Sequence, residues 1–520
     1  MGGGSMVPQA VAQAGFGNTV DAVVRRSAAR HAPRVALEFG ERRYTYRQLD
    51  EAVSRLAGAL LGRGLGHGNR VAAFGRNSDA YLLLFLACAR AGLVHVPVNY
   101  NLTADELAYL VSQSGSSLLV HDPALGPVVE AAKASIGGVP TALLRDGDGG
   151  ADGDVLGWAT QGPVPDLDVA VSERDLVQLL YTSGTTAAPK GAMMTHGALV
   201  AEYVSAIVAL DLSEADRPLH ALPLYHSAQL HVFALPYLML GATSVLVEAP
   251  EPADVLRRIE QQRIDSFFAP PTVWIALAAH RDFSTRDLGS LRKAFYGASI
   301  MPVPVLQQLR KALPGIGFYN CFGQSEIGPL ATVLRPEEHD VRPDSAGRPV
   351  LFVELRVVDE AMDDVAPGGL GEVVYRSPQL CVGYWDKPEE TAAAFAGGWF
   401  HSGDLVRMDD SGAITVVDRT KDVINTGGVL VASREVEDVL YTHPAVREVA
   451  VVGIPDERWI EAVTAVVVAD GEVSEQQLQE HARAHLAAFK VPKRVVFVDD
   501  LPRNASGKLL KRQLREQFGR

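Results

Sequence analysis

Between residues 181 and 191 the chain places four Ser and Thr side chains close together and follows them with a lysine. The apolar run at 176–180 precedes them and predicts a buried strand. The hydroxyl groups should therefore lie in a loop at the end of that strand, where O–H and backbone N–H groups can donate to phosphate oxygens. The spacing is not that of a Walker A loop, and a solvated surface loop is the simpler alternative. The predicted phosphate-binding residues are Thr182, Ser183, Gly184, Thr185, Thr186 and Lys190.

Further polar segments follow along the chain, and each one alone has an ordinary structural explanation. An isolated histidine such as His226 is more often a hydrogen-bonded core residue than a functional group. Asp404 follows a glycine, as in many turns, and Lys508 lies in a basic tail where a lysine is usually solvated. These segments nevertheless indicate a function, because all of them occur in one chain. They are residues 222–227, 296–299, 319–326, 399–404, 418–422 and 501–508.

The whole set resembles the motifs of the adenylate-forming enzymes, which include acyl- and aryl-CoA synthetases, peptide-synthetase adenylation domains and firefly-type luciferases. The loop is similar to the family's Y-T-S-G-T-T-G-x-P-K-G, with Ala187 at a usual glycine position. Residues 319–326 resemble a segment ending in Y-G-x-T-E, and residues 502–508 resemble P-R-x-x-x-G-K. Leu430 stands where many relatives have a polar residue. The resemblance covers nearly the whole chain and is strongest to fatty acid–CoA ligases.

The resemblance implies roles for particular residues. Glu326 would bind Mg²⁺, Lys508 would reach the acid carboxylate and the α-phosphate, and His226 would lie beside that carboxylate. The implied catalytic residues are Lys508, Glu326, Thr182 and His226. Besides the loop, the residues implied to bind ATP and coenzyme A are Gly297, Ala298, Ser299, Asn320, Cys321, Phe322, Gly323, Gln324, Ser325, Asp404, Arg419, Lys421, Gly427, Gly428 and Lys508.

Within that set, Phe322 would stack on the adenine ring, since it keeps an aromatic face at that position. Asp404 would accept hydrogen bonds from the ribose hydroxyls, and Arg419 would contact ribose or phosphate oxygens. Lys421 would be the hinge between two domains, and the 427–428 glycines would face the coenzyme A channel in the second step. The implied cofactors are ATP, Mg²⁺ and coenzyme A.

Composition argues against several classes of protein. The chain has 520 residues, enough for two or three domains, and 47% of them are hydrophobic. A net charge of −14 argues against a nucleic-acid or anionic-membrane surface. Three widely separated cysteines give neither a disulfide framework nor a zinc spacing, which favours a reducing cytoplasm. No signal peptide is expected, and the uncharged stretch 227–247 favours a buried helix and strand over a transmembrane helix.

Alternating helix and strand patterns predict an α/β fold with doubly wound sheets, followed by a β-rich subdomain at 347–418 and a small α+β domain. Capping boxes predict helices that begin after Thr45 and Thr103. The predicted division is an expression scar at 1–5, an N-terminal adenylation domain at 6–418 and a mobile C-terminal lid domain at 419–520.

The predicted activity is an ATP-dependent acid–thiol ligation. The acid carboxylate attacks the α-phosphorus of ATP to give acyl-AMP and pyrophosphate, and the thiol of coenzyme A then displaces AMP. Mainly apolar pocket segments favour a medium- or long-chain fatty acid. An amino-acid substrate is disfavoured because no acidic residue between His220 and Val247 could pair its ammonium group.

Other functions stay open at this point. One is a ligase for an aryl or other carboxylic acid, and another is an acyl-AMP ligase that loads a separate acyl carrier protein in trans. A non-catalytic sensor of acyl groups or nucleotides is the alternative from another class, and the presence of Glu326, Asp404, Arg419 and Lys508 argues against it. The expected partners are a small carboxylic acid, ATP and coenzyme A, without nucleic acid, and a homodimer is allowed.

Overall fold

The computed structural model describes residues 17–145, 154–182, 189–299, 301–420, 422–427, 429–456, 458–503 and 509–519. The chain forms two compact units. Unit 1 consists of Met1–Ala249, Ser325–Leu330 and Pro378–Thr391, and unit 2 consists of Pro250–Gln324, Ala331–Ser377 and Ala392–Arg520. Two short segments from later in the chain therefore belong to the N-terminal unit. The predicted boundary between residues 418 and 419 stays a prediction.

The elements up to residue 249 alternate between helices and strands, as the sequence pattern predicts. In chain order they are α1 (Val20–Arg30), β1 (Val35–Phe39), β2 (Arg42–Thr45), α2 (Tyr46–Gly62), β3 (Arg70–Phe74), α3 (Asp79–Arg90), β4 (Val94–Val98), α4 (Ala104–Ser114), β5 (Ser116–His121), a 3₁₀ turn (Pro123–Leu125), α5 (Gly126–Ala132), β6 (Thr141–Leu143), α6 (Val155–Thr160), β7 (Leu176–Thr182), β8 (Lys190–Thr195), α7 (His196–Ala209), β9 (Pro218–His220), a π-helix (Ala228–Ala234), α8 (Leu235–Leu240) and β10 (Ser244–Leu246).

The strands of unit 1 pair in two groups. Six strands follow the order β6-β5-β3-β4-β7-β8, and all neighbouring pairs are parallel except β7 and β8. Strands β9, β10 and β1 are parallel neighbours, and β2 pairs antiparallel with β1. Parallel neighbours joined through helices confirm the predicted α/β architecture.

Local sequence signals place several of these helices. The hydroxyl of Thr45 accepts the N–H of Gln48 while the Gln48 side chain accepts the N–H of Thr45, so the predicted capping box begins α2. The same arrangement of Thr103 and Glu106 begins α4. On α2 an apolar face is buried at Leu49, Val53, Leu56 and Leu60, whereas Leu61 is only partly buried. These helices therefore form where caps and apolar spacing agree.

Two apolar segments of unit 1 are buried inside the protein. All twelve residues of α3 are buried, as expected for a helix that is hydrophobic on every side. The uncharged stretch 227–247 forms the π-helix, α8 and β10, which confirms the buried interpretation. Among the described residues, no helix has both the length and the apolarity needed to cross a bilayer.

The elements after residue 249 become strand-rich and end in a mixed α/β region. They are α9 (Pro252–Gln261), β11 (Ser266–Ala269), α10 (Pro271–Ala279), a 3₁₀ turn (Arg281–Ser284), β12 (Lys293–Gly297), α11 (Val303–Ala312), β13 (Gly317–Phe322), a 3₁₀ turn (Ser325–Ile327), β14 (Thr332–Leu334), a 3₁₀ turn (Pro336–Glu338), β15 (Arg348–Pro349), β16 (Glu354–Val358), β17 (Leu370–Arg376), α12 (Pro388–Ala394), a 3₁₀ turn (Ala396–Gly398), β18 (Phe400–Met408), β19 (Ile414–Arg419), β20 (Ile424–Thr426), β21 (Val429–Val431), α13 (Ser433–Tyr441), β22 (Val446–Asp456), β23 (Ile460–Ala469), α14 (Glu475–His485), β24 (Arg494–Phe497) and α15 (Lys511–Phe518).

Unit 2 contains three groups of strands. Strands β11, β12 and β13 are parallel, with β14 and β15 added antiparallel at one end. Strands β16 to β19 form an antiparallel meander, which is the predicted β-rich region. Near the C-terminus the order is β21-β20-β23-β22, with β24 parallel to β23. The helices α13 and α14 cover one face of that last sheet through buried aliphatic side chains.

Two short strands have bounds that the sequence pattern alone does not give. The sequence after the phosphate loop suggests the approach to a helix, and α7 does begin at His196, but the intervening residues 190–195 form β8, which pairs antiparallel with β7. The short apolar pattern of β8 is compatible with a helix or a strand, and pairing with β7 makes it a strand. In the β-rich region, the segment 351–358 forms a strand only from Glu354 onward, because 351–352 form a turn with Leu351 58% exposed.

Candidate functional site

The predicted phosphate loop joins the two antiparallel strands β7 and β8 in unit 1. Thr182 ends β7, Lys190 begins β8, and the two residues pair directly across the ladder. The Lys190 ammonium lies 5.4 Å from the centre of the Tyr384 ring, within cation–π range. The strand pairing thus holds a hydroxyl and a cation next to each other at the base of the loop. The predicted loop residues Ser183, Gly184, Thr185 and Thr186 lie outside the described residues.

Glu326 occupies the 3₁₀ turn Ser325–Ile327 and is nearly buried, with 7% of the residue exposed. Its Oε1 accepts a hydrogen bond from the Thr182 hydroxyl over 3.1 Å and another from the Tyr384 hydroxyl over 3.1 Å. Oε2 receives no hydrogen bond from the described part of the chain. A fixed carboxylate with one open oxygen is a suitable hard ligand for Mg²⁺.

The surroundings of Glu326 fit a cation that keeps substrate and water ligands. The described residues contain no cluster of three His, Cys, Asp or Glu side chains that could enclose a metal. Magnesium is commonly bound through one or two protein carboxylates together with substrate phosphates and water. Glu326 beside a loop of the phosphate-binding kind is consistent with that mode of binding.

Tyr384 is held in place by the segment Pro378–Thr391, which runs along β8. The N–H of Val382 donates to the carbonyl of Met193 over 3.0 Å, and the N–H of Met193 donates to Gly383 over 2.9 Å. The N–H of Tyr384 itself donates to the Thr391 hydroxyl over 2.9 Å. Tyr384 therefore links the two charged groups of this region, through its ring to Lys190 and through its hydroxyl to Glu326.

His226 lies two residues before the start of the π-helix, an element that is rare and frequently found at functional sites. Its N–H donates to the carbonyl of Pro223 over 3.0 Å. The next residue, Ser227, has its hydroxyl oxygen 2.9 Å from that of Ser325, which precedes Glu326 in the chain. The structure thus brings the backbone of His226 close to the turn that carries the predicted magnesium ligand.

Tyr225, on the other side of His226, is partly buried. Its ring contacts that of Tyr100 edge-on, with the ring centres 5.4 Å apart. Burial raises the pKa of Tyr225, and its hydroxyl has no hydrogen-bond partner in the described part of the chain. A buried polar atom without a partner is uncommon and indicates a place where a ligand or ordered water is accommodated.

In unit 2, the predicted residues 297–299 follow the end of β12. Gly297 pairs with Cys321 on β13, and a Cβ atom at Gly297 would lie 2.2 Å from the Cys321 carbonyl oxygen. Only glycine fits this close approach. Ala298 follows with φ of 62°, a conformation that costs a non-glycine residue about 1 kcal/mol or more. Ser299 comes next, so the sequence 297–299 forms a strained turn of the kind found at binding sites.

The end of β13 carries the predicted nucleotide-binding residues 320–324. The Asn320 amide donates to the Ser345 carbonyl over 2.9 Å, Cys321 is buried, and Phe322 is partly buried. Gly323 connects this strand to Gln324, whose buried Nε2 has no partner in the residues that the structure describes. An unpaired buried amide donor can serve an acceptor atom of a bound molecule.

Asp404 and Arg419 face each other on the neighbouring strands β18 and β19. The Arg419 Nε lies 2.7 Å from Oδ1 of Asp404, and Asp404 is only 4% exposed. The N–H of Asp404 donates to the Ser402 hydroxyl over 3.0 Å. The two residues that the motifs assign to the ribose are therefore joined by an ion pair.

The C-terminal part of unit 2 carries the remaining predicted residues. Lys421, Gly428 and Lys508 lie outside the described residues. Gly427 lies between β20 and β21, and its N–H donates to the Trp459 carbonyl over 2.6 Å. Leu430, at the position where many relatives carry a polar residue, is 62% exposed.

The chain on both sides of Lys508 is anchored within unit 2. Arg503 and Leu509 form a β-bridge, and the N–H of Leu510 donates to the Pro502 carbonyl over 2.8 Å. Lys511 is partly buried and lies 2.8 Å from Oε1 of Glu437; desolvation lowers the pKa of its ammonium group, but charge attraction to Glu437 outweighs this and raises the pKa. The described residues that flank 504–508 are therefore joined by a bridge, and Lys511 is held by an ion pair.

Sequence reasoning missed Tyr384. The available signal is the segment Gly383-Tyr384-Trp385, where two aromatic residues follow a glycine between an apolar stretch and a charged one. That pattern alone does not distinguish a functional tyrosine from a packing one. Only the position of segment 378–391 beside β8 shows that Tyr384 reaches Glu326.

Two family models match the chain. The model described as AMP-binding enzyme matches residues 24–385, and the model described as AMP-binding enzyme C-terminal domain matches residues 435–508. The chain is 40% identical over 499 residues to a feruloyl-CoA synthase of Amycolatopsis sp., covering 95% of this chain and 98% of that protein. It is 36% identical to the medium/long-chain-fatty-acid–CoA ligase FadD8 of Mycobacterium tuberculosis, covering 94% of this chain and 88% of that protein.

A solved structure gives the same result for the fold. The crystal structure of ATP-bound MatB from Rhodopseudomonas palustris matches with a TM-score of 0.89 and 30% sequence identity. The match covers 97% of this chain and 99% of that chain. The resemblance and the fold class predicted from the motifs are confirmed. The chain belongs to the family of AMP-binding enzymes, the adenylate-forming enzymes whose signature its motifs carry.

Proposed function

We propose that the protein is an AMP-forming ligase that joins a hydrophobic carboxylic acid to coenzyme A. The observation that carries the proposal is the arrangement around Glu326. Its Oε1 is held by the hydroxyl groups of Thr182 and Tyr384, and Oε2 receives no hydrogen bond from the described residues. Lys190 lies beside Tyr384 at the base of the phosphate loop. This group of side chains suits a nucleoside triphosphate with a divalent cation.

In the first step the acid carboxylate would attack the α-phosphorus of ATP, and pyrophosphate would leave. Negative charge grows on the phosphate oxygens, so donors and cations that are already in place stabilise the transition state. Thr182 and Lys190 would donate to these oxygens, and Glu326 would hold Mg²⁺, which supplies positive charge at the phosphates. Lys508 would neutralise the α-phosphate and the attacking carboxylate.

In the second step the thiol of coenzyme A would attack the acyl carbonyl and AMP would leave, with the thiol proton lost to solvent. The C-terminal lid would rotate about Lys421, withdraw Lys508 and bring the 427–428 segment to the thiol. Such a motion separates two reactions in one site and protects a water-sensitive intermediate. The nucleotide would be held through its ribose by Asp404, which Arg419 orients.

An aryl-substituted acid is the first candidate for the acid. The support is the 40% identity between this chain and the feruloyl-CoA synthase, which exceeds the 36% identity between this chain and the fatty-acid ligase. The predicted medium- or long-chain fatty acid is the second candidate, supported by the 36% identity to the fatty-acid ligase FadD8. An apolar pocket suits either acid, because both present an apolar body behind one carboxylate.

The test is acid-dependent release of pyrophosphate with ATP and Mg²⁺, followed by analysis of the product with and without coenzyme A. The panel should contain ferulate, simpler aryl acids and fatty acids of increasing chain length. Release of pyrophosphate with an acid, together with formation of the coenzyme A thioester of that acid, supports the ligase activity. The ranking of kcat/KM values then shows whether aryl or fatty acids are preferred.

Two other outcomes would count against the proposal. Release without a thioester product would indicate an acyl carrier protein as the acceptor, and that reaction can be checked with a phosphopantetheinylated carrier. Binding of ATP without release for any acid would favour the non-catalytic sensor. The Glu326→Gln variant provides the blank that separates enzymatic release from contaminating activity.

A further inference from the structure

A buried carboxylate on α7, Glu202, contacts the segment that carries Glu326. Oε1 of Glu202 accepts the N–H of Leu330 over 3.2 Å, and Oε2 accepts a hydrogen bond from the Gln379 amide over 2.5 Å. The same amide nitrogen lies 3.2 Å from the Ile327 carbonyl oxygen and 3.1 Å from that of Leu330. Glu202 and Gln379 together therefore bind the backbone on the C-terminal side of Glu326.

Packing reinforces these hydrogen bonds. Glu202 and Gln379 are both fully buried, and the Ser205 hydroxyl, one turn further along α7, donates to Oε1 of Gln379 over 2.6 Å. The backbone at Gly328 lies directly against Glu202. A Cβ atom there would come within 3.0 Å of the Glu202 carboxylate, and φ is 105°, so a side chain at this position would be strained.

The N-terminal side of the same segment is bound by the 378–391 segment of unit 1. The Cys381 N–H donates to the carbonyl oxygen of Glu326 over 2.7 Å. The backbone of Glu326 and that of Leu330 are thus both tied to neighbouring structure, the first by the 378–391 segment and the second by α7. With both points fixed, the Glu326 side chain stays within hydrogen-bond distance of Thr182.

A carboxylate at this position is unfavourable for stability alone. Burying a carboxyl group costs free energy unless it is fully hydrogen-bonded, and an apolar side chain would fill the same space on α7 without that penalty. Burial raises the pKa of Glu202 well above its usual value. An acceptor is needed here because the Leu330 N–H would otherwise be a buried donor without its hydrogen bond.

We infer that Glu202 is a positioning residue: it fixes the 325–330 segment and thereby holds the Glu326 carboxylate where it binds the magnesium ion. The inference rests on the proposed function, which assigns magnesium to Glu326. Glu202 acts through the backbone and does not itself contact the ion. Small displacements of a catalytic group reduce rate strongly, since a shift of about 1 Å can cost roughly a hundredfold.

The experiment compares Glu202→Ala with wild type in two measurements. Hydrogen exchange of the ligand-free protein should show faster exchange in a peptide covering 327–331, because the Leu330 N–H loses its acceptor. The Mg²⁺ concentration for half-maximal pyrophosphate release should rise about tenfold, as expected for the loss of one net hydrogen bond. The KM for the acid should change less than the magnesium requirement.

Two further variants separate positioning from general destabilisation. Glu202→Gln keeps the size of the side chain and an oxygen for Leu330, so it should fold and show an intermediate effect even where the alanine variant does not. Tyr203→Phe is the matched control, because Tyr203 is equally buried on α7 but its hydroxyl contacts His231 rather than the Glu326 segment. It should leave both the 327–331 exchange and the magnesium requirement unchanged.

Unchanged exchange at 327–331 or an unchanged magnesium requirement in both Glu202 variants would overturn the inference. The same shifts in Tyr203→Phe would also overturn it, because they would show that any weakening of α7 has this effect. Failure of the proposed function is a separate result: wild-type protein would then release no pyrophosphate with any acid. In that case the exchange measurement alone would still decide whether Glu202 fixes the segment.

Discussion

The hydroxyl group of Thr182 donates a hydrogen bond to Oε1 of Glu326 over 3.1 Å, although the two residues are 144 positions apart in the chain. One residue ends a strand before the phosphate loop, and the other lies in a 3₁₀ turn after β13. Both belong to unit 1, because the short segment Ser325–Leu330 joins it. The fold thus places a phosphate-loop hydroxyl and a carboxylate together within one compact body.

This pair leads to the first prediction, which concerns Glu326→Gln. The amide keeps the hydrogen bonds to Thr182 and Tyr384 but loses the negative charge that a magnesium ligand supplies. Acid-dependent pyrophosphate release should fall by about 100-fold or more, as when other charge-stabilising groups are removed. A Glu337→Gln variant, which alters an exposed glutamate, should retain wild-type rates. A loss of less than threefold in Glu326→Gln would show that Glu326 is not the metal ligand.

The second prediction is that Lys508 is needed for the first half-reaction but not for the second. Lys508→Ala should abolish pyrophosphate release but allow the reaction of supplied acyl-AMP with coenzyme A. The reason is that the lysine charge is needed while the α-phosphate is attacked, and AMP leaves in the second step without it. Single-turnover assays of each step measure the two effects separately, with the exposed Lys311→Ala as control. Equal loss of both steps would refute the assignment of Lys508 to adenylation.

How far the sequence predicts this fold can be seen at individual residues. The capping boxes at Thr45 and Thr103 and the α2 face of leucines are local patterns, and the structure confirms them. Strand β8 could not be recognised, because six residues of mixed apolar character are compatible with helix or strand until β7 pairs with them. The π-helix is likewise beyond a periodicity argument, since its hydrogen bonds depend on the surrounding core.

In the candidate site, too, some residues could be predicted from the sequence and others could not. Thr182, Glu326, Asp404 and Arg419 could be named because their neighbours form specific motifs, and the structure joins them in two pairs. Their catalytic roles stay predictions. Tyr384 could not be named, because its role depends on a segment from residue 378 onward lying beside β8. Contacts between segments that are far apart in sequence are decided by tertiary packing, which a single sequence does not record.

The third prediction concerns Asp404 and its ion pair with Arg419. Asp404→Asn removes the charge that orients Arg419 and weakens acceptance of hydrogen bonds from the ribose. The KM for ATP should rise about tenfold or more, consistent with the loss of a charge-assisted hydrogen bond. The KM for the acid should stay within a factor of two. Asp409→Asn, at a turn after the same strand, is the control.

One result would contradict a role of Asp404 in ATP binding. If Asp404→Asn and Asp409→Asn change the KM for ATP equally, Asp404 has only a structural role in the β-rich region. A thermal unfolding measurement on both variants is needed alongside the kinetics, because Asp404 is buried and its ion pair also contributes to folding.

The last prediction concerns three fully buried histidines of unit 1. Burial lowers the pKa of His95, His220 and His231 from 6.5 to about 3. His231 and His95 contact the Gln178 amide from either side, at 2.7 Å and 3.0 Å, so both rings are held in the neutral form within one hydrogen-bonded chain. Gln229 and Ser244 contact His220 similarly. A proton on any of these rings would be a buried charge.

The sign of the pH effect follows from proton binding in the two states. Below pH 6.5 each histidine of the unfolded chain takes up a proton, whereas the folded protein does so only near pH 3. The free energy of unfolding should therefore fall as pH decreases from 6.5 towards 3. The slope contributed by each histidine approaches about 1.4 kcal/mol per pH unit. Denaturant unfolding at several pH values measures the total slope.

A comparison of variants assigns that slope to the buried rings. His231→Gln removes one titrating group, so its unfolding free energy should fall less steeply between pH 6 and pH 4, by about 1.4 kcal/mol per pH unit. Its absolute stability is lower at neutral pH, because the contact with Tyr203 is altered, but the slope is independent of that offset. His485→Gln on the exposed face of α14 should leave the slope unchanged. Parallel pH profiles for wild type and His231→Gln would mean that His231 takes up its proton in the folded state and that the burial argument is wrong.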